Sequence, residues 1–201
     1  MSWQEVVVKD VCESIVDCVN KTAPVVDYET PYKMIRTTNV RHGVIDTENT
    51  RFVTEETFEK WTRRLLPQAG DVILTREAPL GEVGMLKNSE EKIFLGQRLM
   101  QFRVDEKKLD NYFLLYSLQG SYMQGQLQAA SSGSTVAHVR VGDVENLKIK
   151  LPSIDEQKRI AGILKAYEDL IENNNRRIQI LETIAQKLYQ EWFIHYRFPG
   201  H

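Results

Sequence analysis

The clearest pattern of apolar and polar positions lies in the C-terminal part of the chain. Apolar residues recur there in alternating steps of four and three. Ile160, Tyr167, Leu181 and Leu188 share one heptad position with polar Asn174 among them, and Leu164, Ile171, Ile178, Ala185 and Trp192 share the other. A seam held over so many heptads signals a paired helix more than a surface helix. Pro152-Ser153-Ile154-Asp155-Glu156 supplies its start, because Ser with Glu three residues later forms a capping box, and no proline follows until Pro199. At 1.5 Å per residue the helix would be roughly 60 Å long, more than one small domain can bury. Folding back on its own domain is the plainer alternative. Asn174 favours pairing, since a lone polar residue in a seam weakens it yet fixes register.

Upstream the period shortens. Trp3 to Val8 reads as a strand, Lys9 to Ile15 as a short helix, and Tyr32 to Arg36 as a strand entering Thr37-Thr38-Asn39, with Arg41-His42-Gly43 as a turn. Thr54-Glu55-Glu56 caps a helix carrying Phe58, Trp61 and Leu65 until Pro67 stops it. Strands follow at Asp71–Thr75, Glu82–Leu86, Ile93–Leu95 and Leu99–Val104, then helices over Lys108–Leu118 and Tyr122–Ala130, and a last strand over Asn146–Leu151. Short strands followed by helices predict an α+β fold: a globular mixed α/β domain over about 1–151, one long coiled-coil-forming helix over about 152–196, and a tail over 197–201.

Composition narrows the class. An apolar fraction of 42% over 201 residues supports a packed core and argues against disorder. No apolar run is long enough to span a bilayer, and the start lacks a basic-then-apolar signal, so a cytosolic protein without membrane attachment is expected. Cys12 and Cys18 have no second pair or nearby His at ligand spacing, which predicts neither zinc nor a disulfide framework. A net charge of −2 and a pI near 6.1 argue against a nonspecific nucleic-acid coat while leaving room for local basic faces.

Motifs for catalysis are missing from the sequence. It contains no glycine-rich phosphate loop, no His-Glu-x-x-His, no Gly-x-Ser-x-Gly elbow, and no Asn-Pro-Pro-aromatic or Asp-Pro-Pro-aromatic motif of amino-methyltransferases. Four His residues are scattered without ligand spacing. What remains is a set of base-capable side chains beside strand ends and turns: Arg36, Thr37, Thr38, Asn39, Arg41, Arg76, Gln97 and Arg98. Arg grips guanine O6 and N7 or phosphate, and Asn and Gln grip adenine. The loop bearing Ser132, Ser134 and Thr135, followed by His138, adds hydroxyls and backbone donors that contact phosphate or bases without charge. For any one of these residues alone, a surface ion pair or a plain linker is the simpler role.

These stretches also carry a resemblance. Tyr32-Lys33-Met34-Ile35-Arg36-Thr37-Thr38-Asn39-Val40, Pro67-Gln68-Ala69-Gly70-Asp71-Val72-Ile73-Leu74-Thr75-Arg76 and Ser132-Gly133-Ser134-Thr135 are the first three. Leu151-Pro152-Ser153-Ile154-Asp155-Glu156-Gln157-Lys158-Arg159-Ile160-Ala161-Gly162-Ile163-Leu164, followed by Glu191-Trp192-Phe193, is the most specific. Together they resemble the target-recognition half of a type I restriction–modification specificity subunit, over essentially the whole chain. The resemblance implies a non-catalytic protein whose globular part reads one half of a bipartite site in double-stranded DNA. It implies long helices that pair antiparallel and dock modification subunits, which bind S-adenosylmethionine and methylate adenine, with a restriction (translocase) subunit as a further partner. No cofactor is expected on this chain. Family subunits usually hold two recognition domains and two helices, whereas this chain has one of each, so either two copies form a homodimer or this is one half of a longer protein. The expected subunit interface is Ile160, Leu164, Tyr167, Ile171, Asn174, Ile178, Leu181, Leu188 and Trp192. A second reading is a coiled-coil adaptor whose head binds protein instead of DNA.

Overall fold

A computed structural model describes residues 3–87, 90–131 and 137–200. The chain divides into two units, Met1–Ala161 and Gly162–His201. The first runs β1 (Gln4–Val7), β2 (Cys12–Asp17), β3 (Tyr32–Ile35), β4 (Val40–Arg41), β5 (Val44–Ile45), β6 (Arg51–Phe52) and α1 (Glu55–Thr62). It continues through β7 (Val72–Arg76), β8 (Leu80–Met85), β9 (Lys92–Leu95), β10 (Leu99–Val104), α2 (Asn111–Gln119), α3 (Ser121–Ala130), α4 (Val141–Glu145) and β11 (Lys148–Leu151). The long helix α5 spans Ile154–Tyr189.

The head is organised on a four-stranded sheet ordered β2-β10-β7-β8, antiparallel throughout. Its two central strands are covered on both faces, which explains why Val72-Ile73-Leu74 is apolar without alternation. Val72, Leu74, Met100 and Phe102 face Leu114, Leu118, Met123 and Leu127 of α2 and α3. Ile73 and Leu99 join Ile35, Val40, Ile45, Ile93 and Leu95 on the other side. There β3 lies between antiparallel β6 and parallel β9. The helix expected over Lys9–Ile15 is a single 3-10 turn at Val8–Val11 followed by strand β2. That turn anchors buried Val8 and Val11, and β10 then supplies ladder bonds that a short helix could not match.

Local caps follow the sequence. Thr54 Oγ1 accepts from the Thr57 N–H, and Asp110 Oδ1 accepts from the Phe113 N–H. At the turn before β7, buried Asp71 accepts from the Gln68 N–H at 2.8 Å and from Gln101 Nε2 at 2.6 Å. Arg103 closes the network with Nε at 3.0 Å from Oδ1 and a terminal nitrogen at 2.7 Å from Oδ2. A two-pronged guanidinium contact of this kind satisfies a carboxylate that has left water.

Ser153 Oγ accepts from the Glu156 N–H at 3.4 Å, as the capping box predicts. The next turn is held by fully buried Gln157. Its Oε1 accepts from the Asp110 N–H, and its Nε2 donates to the carbonyls of Lys108 and Pro152. With Ala161 in the main core, the first two turns of α5 belong to the head. Gln157→Ala leaves three backbone groups without partners at about 1–3 kcal/mol each, so chemical unfolding of the whole chain should lose roughly 3 kcal/mol or more. Gln157→Glu keeps the acceptor but sets a carboxylate oxygen against the carbonyls of Lys108 and Pro152, so it should not restore the loss. Equal midpoints for Gln157→Ala and wild type would rule the clamp out.

The second unit is the rest of α5 and its ending. A π-helical turn, Gln190–Ile194, closes the helix. Phe198 then stacks on Trp192 at 6.0 Å between ring centroids, and Arg197 pairs with Glu191.

Candidate nucleic-acid interface

Among the described residues, the sequence-predicted ones come together along the outer edge of β8 and around the β7–β8 turn. The segment Thr37–Val44 runs beside β8: Thr37 Oγ1 donates to the Ala78 carbonyl at 3.0 Å, and the His42 N–H donates to Glu82 Oε2 at 3.1 Å. Farther on, Gly43 exchanges backbone bonds with Val83 and Met85. The approach is this close because β8 offers Gly84 there. A Cβ at Gly84 would lie 2.7 Å from Ile45 Cγ1 and 2.8 Å from the Val44 carbonyl oxygen.

On the other side of the turn, the Arg76 N–H donates to the Arg98 carbonyl, and the Val139 N–H donates to the Arg76 carbonyl. Arg76 also donates from a terminal nitrogen to the Val139 carbonyl at 3.2 Å. Glu77 forms a backbone bridge with His138 and an ion pair with Arg98 at 3.3 Å. Gln97 accepts from Thr22 Oγ1. Thr38, Arg41, Gln97, Arg98, His138 and Arg140 are exposed, whereas Arg36 and Arg76 are half-buried. The Nε atoms of Arg36 and Arg76 are buried without a hydrogen-bond partner. Among the described residues, four non-glycine residues have positive φ, and three of them, His42 (49°), Ala78 (47°) and Arg98 (70°), sit on these segments. Such backbone costs about 1–3 kcal/mol per residue and gathers at functional surfaces.

One expected reader is spent on the fold and a second is partly tied down. Asn39 is only 4% exposed. Its Oδ1 accepts from the Arg36 N–H, and its Nδ2 donates to the carbonyls of Asp46 and Asn49. Its amide has no edge left for adenine, so Asn39 is a brace and not a reader. Thr37 donates its hydroxyl to the Ala78 carbonyl, which leaves only its acceptor side available. Asp46 completes the brace, and the Asn49 side-chain hydrogen bond holds its carboxyl below the usual range. Ser132, Ser134 and Thr135 lie outside the described residues. Glu77 and Glu82 stand on the same segments, although acidic side chains were not expected on a face that meets DNA. Carboxylates next to Arg76 and beside a turn were the available signal.

Burial pushes the Cys12 thiol up to about 12, which disfavours its thiolate. Among the described residues no group of three or more His, Cys, Asp or Glu is placed to hold a metal ion. Nor is any of their helices long and apolar enough to cross a membrane.

On α5, Leu164, Tyr167, Ile171, Ile178, Leu181 and Leu188 are 40–64% exposed, and Asn174 is exposed among them. The two ends of the expected seam differ: Ile160 packs against the head core and Trp192 is stacked on Phe198. Ile163, Leu170 and Ile184, also exposed, widen the stripe to one side. Their spacing of seven and fourteen was visible in the sequence but outside the two seam positions.

Comparison with known proteins agrees with this layout. Residues 1–183 match the type I restriction modification DNA specificity domain. The specificity subunit of type I restriction enzyme MjaVIII from Methanocaldococcus jannaschii is 30% identical over 164 residues, covering 80% of this chain and 38% of that subunit. The MjaIX specificity subunit of the same organism is 32% identical over 144 residues, or 72% and 32% of the two chains. A crystal structure of a type I restriction–modification S subunit from M. genitalium shares the fold with a TM-score of 0.68 at 18% identity, covering 96% of this chain and 46% of that one. The HsdS subunit from Thermoanaerobacter tengcongensis gives 0.62 at 17% identity, with 100% and 51% covered. The chain thus spans from about a third to half the length of these proteins. With the family matched over residues 1–183, the chain belongs to the type I restriction–modification DNA specificity family, as a single recognition domain followed by one long helix.

Proposed function

We propose that the head reads one half of a bipartite site in double-stranded DNA for a type I adenine-methyltransferase complex. In this reading the exposed stripe of α5 pairs with a second long helix and docks the modification subunits. Methyl transfer, with its S-adenosylmethionine, belongs to those subunits, and a restriction subunit is a further partner. The observation that supports it most is the gathering of Arg36, Thr38, Arg41, Arg76, Gln97, Arg98 and His138 from four separate segments onto one surface. Base contacts require convergent donors and acceptors, phosphate contacts are strengthened by positive charge, and this surface offers both.

Alanine substitutions in the assembled complex should therefore fall into two classes. Loss of a base contact costs about 1–3 kcal/mol at one base pair, while loss of a phosphate contact weakens all sequences alike and lowers the salt slope by about one. Binding titrations at several salt concentrations measure both. If Arg41→Ala, Arg76→Ala and Arg98→Ala all leave affinity, salt slope and preference unchanged, the head binds something other than DNA. A protein-binding adaptor would then be the better account.

For pairing, we infer a homodimer through Leu164, Tyr167, Ile171, Ile178, Leu181 and Leu188 when the chain acts as a half-subunit. Two identical heads related by a twofold axis read the same half-site in opposite orientations.

A further inference from the structure

We propose that Glu77 is a base-reading residue, and that Glu77 and Arg98 together address one C·G base pair. The inference rests on the DNA-reading role proposed above for the head. Glu77 follows the end of β7, and Arg98 sits at the turn before β10, held at φ 70°. Arg98's terminal nitrogen lies 3.3 Å from Glu77 Oε1, with the two side chains 52% and 22% exposed. The backbone fixes both partners from behind, since Arg76 donates to the Arg98 carbonyl and Glu77 bridges to His138.

A carboxylate on a surface that meets phosphate is repelled unless it faces a donor. In the major groove, cytosine offers the N4 amino group without an acceptor beside it. Adenine sets its amino group next to the N7 acceptor, and guanine and thymine present acceptors or a methyl group. Arg98 carries the complementary preference, for guanine O6 and N7. Cytosine N4 and guanine O6 hydrogen-bond to each other at about 2.9 Å, and the carboxylate–guanidinium contact of 3.3 Å presents the opposite polarity at nearly the same spacing. Glu82 is not equivalent, because its carboxylate accepts from the His42 N–H and serves the β4–β5 hairpin.

The test uses the full chain assembled with its modification subunit, methylating a DNA library randomised across the site. Glu77→Gln preserves shape and removes the charge. It should reduce discrimination at a single C·G position by roughly tenfold to a hundredfold and shift preference there toward A·T, which Gln reads. The other positions should stay unchanged, as should the unfolding midpoint. Arg98→Ala should relax the same position. An unchanged site pattern for Glu77→Gln, with Arg41→Ala still weakening binding, would overturn the proposal and leave the DNA-reading role standing. A uniform gain on all sequences would also overturn it, since Glu77 would then only repel phosphate. A uniform loss would do the same and reduce Glu77 to a brace for Arg98. If no head substitution alters binding, the DNA-reading role fails as well.

Discussion

Combining Ile171→Asp with Ile178→Asp should yield a folded monomer that no longer supports methylation of a split site. Both side chains are more than half exposed in the single chain, at 58% and 52%, so their replacement removes little internal packing. In a pair they are covered, and each substitution occurs twice. At ~2–5 kcal/mol for each buried apolar side chain lost, four losses match the ~12 kcal/mol that holds a nanomolar dimer together. Four buried carboxylates add a desolvation cost to that. Sedimentation equilibrium with and without the modification subunit measures the pairing, and methylome sequencing measures the outcome. A wild-type chain that stays monomeric at high concentration beside its modification partner would refute pairing. A methylated site with unrelated halves would instead identify the chain as one half of a longer specificity subunit with a different second head.

Asp71→Ala should be the most damaging single substitution in the head. It leaves the Arg103 guanidinium, the Gln101 amide and the Gln68 N–H facing an empty position. Removing one partner of a buried ion pair typically costs ~3–5 kcal/mol, which for a chain of this length lowers Tm by roughly 10 °C. Replacing both partners, as Asp71→Leu with Arg103→Leu, should recover much of the loss, because no uncompensated charge remains. The network would be peripheral to stability if Asp71→Ala moved Tm no more than an exposed substitution such as Glu90→Ala.

Elements with local signals were legible from the sequence. The cap at Ser153, the heptads of α5, the Thr54 cap of α1 and the apolar run of β7 each depend on neighbours within a few residues, and each formed where expected. What was hidden depends on distant partners. Cys12–Asp17 becomes a strand because β10, more than eighty residues later, pairs with it. The parallel pairing of β3 with β9 is equally nonlocal. In the candidate interface, residue type identified the segments but not the fate of each side chain. Asn39 and Thr38 are adjacent uncharged polar residues, yet one is buried as a brace and the other is exposed. Only the folded path of Arg36–Asn49 separates them. Glu77 shows the reverse: a residue that charge arguments passed over stands among the basic groups.

The Asn39 brace carries a consequence for how such a head can change over evolutionary time. All three of its hydrogen bonds end on main-chain atoms, the Arg36 N–H and the carbonyls of Asp46 and Asn49. They are indifferent to the side chains at the positions they fix. Gln157 bonds only to backbone groups in the same way. Exposed residues such as Thr38 and Arg41 can therefore be exchanged while the loop keeps its path. A lineage could acquire a new target sequence by point substitution, without passing through a poorly folded intermediate.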